Sequence, residues 1–83
     1  MIKYSVKTSL DREKVLDQAR DFFGEKLGLQ TEEESPCCLR FSVPNSIGYV
    51  YVTLTSEEDE PTEVELETRD YKYQVEQFMR QIG

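Results

Sequence analysis

Residues 47–55, IGYVYVTLT, alternate more strictly than any other stretch, with Val50, Val52 and Leu54 on one side and Ile47, Tyr49, Tyr51 and Thr53 on the other. Side chains of a strand alternate with period two, so β-branched and aromatic residues in this pattern predict a half-buried strand at the centre of a sheet. Three more runs share the pattern. Residues 2–8 set Ile2, Tyr4 and Val6 against Lys3, Ser5 and Lys7. Residues 37–43 set Cys37, Leu39, Phe41 and Val43 inward against Cys38, Arg40 and Ser42, and residues 63–69 set Val64 and Leu66 against Glu63, Glu65 and Glu67. Each therefore has one apolar and one wet face. A shorter run over 29–34, acidic at its end, predicts an edge strand whose charge repels further pairing.

Between the first two strands the period changes. Val15, Leu16, Ala19, Phe22, Phe23 and Leu27 recur three and four residues apart, the stripe of a helix wide enough to cover a sheet. Ser9 or Asp11 can cap its first turn, where Asp11 and Glu13 also suit the positive end of the helix dipole. Gly28 predicts a left-handed end, and Gly24 inside the pattern costs about 1 kcal/mol against alanine. A second helix follows Asp70 as cap, with Tyr71, Val75, Phe78 and Ile82 on one face and Met79 beside them. Pro44, Asn45 and Ser46 predict a tight hairpin into the central strand, and Gly48 suggests a bulge there. The acidic stretch 56–62, SEEDEPT, reads as a solvated loop, without the glycine and spacing of a calcium loop.

The order strand, helix, four strands, helix predicts one α+β domain over residues 1–83, with both helices on one face of an antiparallel sheet. It resembles the small β-α-β4-α architecture shared by the TATA-binding-protein repeat and the helix-grip (START-like) domains. The likeness covers the whole chain and is one of topology. It implies the strand order 1-5-4-3-2, with the first strand beside the fifth. The charges agree, because Lys3 and Lys7 then face Glu63, Glu65 and Glu67, each opposed pair contributing about 0.2–1 kcal/mol. Arg40 falls beside Tyr49 and Tyr51. Helix-grip domains hold apolar ligands between a long C-terminal helix and a curved sheet, whereas the TATA-binding repeat uses its open sheet face. This chain departs from both: its last helix has about three turns, and its open face is acidic.

Composition narrows the chemistry. The 83 residues include 10 basic and 17 acidic ones, a net charge of −7 that opposes nucleic acid and anionic membranes. No run approaches the roughly 18 apolar residues of a membrane span, and the N-terminus lacks the apolar core of a secretory signal, so a cytoplasmic protein is expected. Histidine is absent, which removes the usual acid–base group near neutral pH, and no phosphate loop or nucleophile with its base is present. The two cysteines, Cys37 and Cys38, are neighbours on an expected strand and so point to opposite faces, Cys37 as a small core residue and Cys38 as a surface thiol. Two sulfurs without histidine do not make the usual closed zinc site, although a second subunit could complete a metal or redox centre.

No enzyme and no cofactor are expected. The favoured reading is a non-catalytic interaction module working through the open sheet face around Tyr49, Tyr51, Arg40 and Glu65, since tyrosine and arginine are enriched where binding energy concentrates. Its partner is another protein or a second copy of the chain. The competing reading is a small apolar-ligand carrier with a pocket under the last helix, lined by Phe22, Phe41, Val52, Phe78 and Ile82.

Overall fold

A computed structural model describes residues 2–44, 46–55 and 61–83. The readings for Asn45 in the hairpin and for residues 56–60 of the acidic loop lie outside the described residues. The elements are β1 (Ile2–Thr8), α1 (Arg12–Ala19) running directly into a π-helical segment (Arg20–Lys26), β2 (Gln30–Glu34), β3 (Cys38–Ser42), β4 (Tyr49–Thr55), β5 (Thr62–Thr68) and α2 (Lys72–Ile82). They form an α+β fold whose five strands are antiparallel in the order β1-β5-β4-β3-β2, the order that the topological likeness implies and with which the charges agree. No helix among the described residues is long and apolar enough to cross a membrane.

Asp11 caps α1, its carboxylate accepting the Lys14 amide at 2.9 Å. The helix widens past Ala19, so that the Leu27 amide reaches the Phe22 carbonyl five residues back, at 3.2 Å. It stops at Gly28, whose φ of 74° is the left-handed conformation expected there. Leu29, expected to begin the edge strand, instead closes the helix end by donating to the Phe23 carbonyl at 3.0 Å and is itself buried.

One apolar cluster joins both helices to a single face of the sheet. Val15, Ala19 and Phe23 from the first helix, Val75 and Phe78 from α2, and Leu39, Phe41, Val50, Val52, Val64 and Leu66 from the strands are fully buried. Phe23 is the hub, with its ring centroid 5.0 Å from Phe22, 5.1 Å from Phe78 and 5.5 Å from Phe41. These rings occupy the space between helices and sheet at interior packing distances.

Four further local expectations need correction. The central strand begins at Tyr49, not Ile47, because Val43 pairs with Gly48 across the hairpin and leaves Ile47 in the turn, 68% exposed. The register slips between Thr31 and Glu33 of β2, while β3 and β4 pair evenly from Tyr49 on, so the irregularity belongs to the edge strand and not to Gly48. α2 has no side-chain cap from Asp70. Thr68, fully buried, instead fixes the turn into the helix, accepting the amide of the N-cap residue Tyr71 at 3.0 Å while donating its hydroxyl to the Tyr49 carbonyl at 2.8 Å. Finally, Cys37 and Cys38 are joined to each other by a disulfide. Cys37 lies in the turn before β3, where strand alternation no longer separates neighbours, and both residues are half-buried.

Candidate functional site

The face of the sheet away from the helices carries Lys3, Ser5 and Lys7 from β1, Glu63, Glu65 and Glu67 from β5, Tyr49, Tyr51 and Thr53 from β4, and Cys38, Arg40 and Ser42 from β3. Register aligns them into rows. Lys3 opposes Glu67, Glu67 opposes Tyr51, Tyr51 opposes Arg40, and Arg40 opposes Glu33 of the edge strand. The next row runs Ser5, Glu65, Thr53, Cys38. Tyr49, Tyr51, Arg40 and Glu65 therefore share one surface, on three adjacent strands.

The four differ in how firmly they are held. Arg40 places its guanidinium carbon 5.7 Å from the centroid of the Tyr49 ring, a cation above an aromatic face. The Tyr49 hydroxyl donates to Glu67 Oε2 at 2.9 Å. That bond holds the phenol above its ordinary pKa of 10.0, because Glu67 accepts from the neutral form and repels the phenolate; partial burial adds to the rise, and Arg40 and Arg69 oppose it. Arg40, Tyr49 and Glu67 are thus a pre-set chain of charge, ring and carboxylate. Tyr51 and Glu65 differ: neither the Tyr51 hydroxyl nor the Glu65 carboxylate makes a hydrogen bond or ion pair with the described residues.

Tyr51 and Glu65 line a hollow of about 250 Å3 together with Lys3, Thr53 and Glu67. A second hollow of about 430 Å3 opens on the other side of Tyr49, between Arg40, Glu32, Ser42 and the hairpin that exposes Ile47. Tyr51 therefore borders a depression that also holds two glutamates, Lys3 and Thr53, while Arg40 and Tyr49 border one that includes an exposed aliphatic side chain. Lys3, Thr53 and Glu67 complete the first hollow, and the register that brings them there is signalled by the lysines opposite glutamates. Ile47 was expected as a strand residue; the proline three positions before it is the signal that it belongs to the turn.

The side chains expected to line a ligand pocket under the last helix, Phe22, Phe41, Val52, Phe78 and Ile82, are buried against one another, the Phe22 and Phe78 rings lying 5.6 Å apart. The two sulfurs bond each other, so neither is a thiol in this structure. Comparison of the sequence with protein-family models and with curated proteins gives no match.

Proposed function

We propose that this chain is a non-catalytic cytoplasmic protein-interaction module whose working surface is the open sheet face centred on Tyr49, Tyr51, Arg40 and Glu65. The observation that carries the reading is the contrast between Tyr49 and Tyr51. Tyr49 is held by Arg40 and Glu67, whereas Tyr51 and Glu65 offer a hydroxyl and a carboxylate, uncommitted to the described residues, beside a hollow. A rigid aromatic anchor next to polar groups without partners is the arrangement in which a small area yields binding energy at low entropic cost. The glutamates of β5 and the net charge of −7 favour a partner that presents basic groups to that side. A second copy meets the same requirement by two-fold stacking, with Arg40 of each copy against a glutamate of the other.

The filled space beneath the helices supports the open face over an interior apolar-ligand site. The absence of histidine supports a non-catalytic role. Likeness to the TATA-binding repeat and helix-grip architectures is proposed at the level of topology alone. The test is capture of partners from the native host, and measurement of self-association, with the wild type and with the double variant Tyr49→Ser, Tyr51→Ser. The double variant is expected to keep its fold and to lose partners that the wild type captures, together with any self-association. Retention of all partners and of oligomeric state by the double variant, with their loss in a variant altered at Glu32, Glu33 and Glu34, rules out this surface.

A further inference from the structure

Among the described residues the sheet ends in two edges that pair with no further strand, and they are built differently. β2 is five residues long, exposed throughout and broken in register between Thr31 and Glu33. Its glutamates are engaged locally: Ser42 donates to Glu32 at 2.5 Å, and Arg20 pairs with Glu34 at 2.5 Å. A short, irregular, acidic strand is an edge closed to further pairing. β1, at the opposite end, is seven residues in unbroken register with β5. On its helix side lies a hollow of about 360 Å3 lined by Tyr4, Val6, Glu76, Met79 and Arg80. Tyr4 ties the strand to α2, donating to Glu76 at 2.8 Å.

We propose that the free edge of β1 is a strand-addition site for an extended segment of another protein that alternates acidic with apolar residues. Main-chain hydrogen bonds along such an edge supply affinity, and positions for alternate side chains supply specificity. The chemistry of the occupant is read from β5, the strand that already pairs with β1. There Glu67 and Glu63 oppose Lys3 and Lys7, while Leu66 and Val64 oppose Tyr4 and Val6 on the core side. A strand added on the other flank meets the same alternation: Lys3 and Lys7 on the open face, then Tyr4, Val6 and Met79 at the hollow, with Arg80 at its rim. Acidic residues answer the lysines, and apolar residues enter the hollow. A second copy of β1 fits poorly, because antiparallel self-pairing centred on Ser5 sets Lys3 against Lys7, and like charges directly opposite are unfavourable. This surface is separate from Tyr49 and Tyr51.

The experiment uses the full chain and a capped, fluorescein-labelled peptide alternating Glu with Val and Leu, followed by anisotropy and by amide chemical shifts. Saturable binding is expected, with shifts concentrated in Ile2–Thr8 and around Met79. A peptide with Lys in place of each Glu is expected to bind about ten-fold more weakly or worse, as several cross-strand pairs change sign. Arg80→Glu, at an exposed position, and Met79→Asp are each expected to weaken binding by about ten-fold, while Tyr49→Ser with Tyr51→Ser leaves it unchanged. The proposal is overturned by absence of saturable binding, by equal affinity for the lysine peptide, or by shifts confined to β2 or the open face. Unchanged affinity in Arg80→Glu also overturns it, as does self-association through β1 that excludes the peptide.

Discussion

The guanidinium carbon of Arg40 stands 5.7 Å from the centre of the Tyr49 ring, on the strand next to it and one side-chain position along from its direct partner Tyr51. Because the same phenol donates to Glu67, the ring is fixed from its face and from its tip. The open face therefore presents a pre-organised ridge and needs little ordering when a partner arrives.

The clamp has a titration signature. Tyr49, through Glu67, and Tyr4, through burial and then Glu76, both lose their phenolic protons above the ordinary value of 10.0. A group whose folded pKa is raised adds stability that is fully present below its unfolded pKa and is lost as pH rises through the folded value. Absorbance titration is expected to show Tyr49 and Tyr4 ionising late, with stability falling above about pH 10. Substituting Glu67→Gln should bring the Tyr49 step down; an unchanged step would remove Glu67 as its cause.

Phe78→Ala removes a ring in contact with both Phe22 and Phe23 and should cost about 3–5 kcal/mol, close to the whole stability of so small a domain. Thermal melting followed by circular dichroism tests this, and a cooperative transition within a few degrees of wild type would contradict the docking of α2.

Thr68→Val keeps the shape of a buried side chain but leaves the Tyr71 amide and the Tyr49 carbonyl without their hydroxyl partner. The expected cost is about 1–3 kcal/mol, against less than about 0.5 kcal/mol for Asp70→Ala at the exposed neighbouring position. Denaturant midpoints of the two variants decide which residue begins the helix.

That contrast marks where the sequence is legible. The facing of each strand residue can be read from alternation, while the strand order follows from the architecture that the chain resembles, and Lys3 and Lys7 opposite the glutamates of β5 agree with it. The grouping of Tyr49, Tyr51, Arg40 and Glu65 on one face follows from the same rule. Alternation sets Thr68 inward beside Val64 and Leu66, but its part at the start of α2 is illegible, since Asp70, nearer the helix, is the usual capping type. The widened turn past Ala19 is hidden because Phe22 and Phe23 satisfy the apolar stripe of an ordinary helix equally well. At Ile47 and Cys37 alternation extends past the last paired residue into turns, where it carries no information about facing.

The Cys37–Cys38 bond closes the smallest loop a chain allows, so it constrains the unfolded state little. Reduction with dithiothreitol is therefore expected to change stability by less than about 1 kcal/mol, with the two-proton mass increase confirming that the bond opened. A loss several times larger would mean that the β2–β3 turn depends on the bond.

The central claim is that Tyr51 and Glu65 face a partner. Carboxyl and tyrosine footprinting, with and without a captured partner, reads this directly through mass spectrometry. Protection of Glu65 and Tyr51, with unchanged labelling of Glu13 and Glu25 on the helix side, is the predicted result. Unchanged labelling of Glu65 and Tyr51, with protection on the helices, would contradict it.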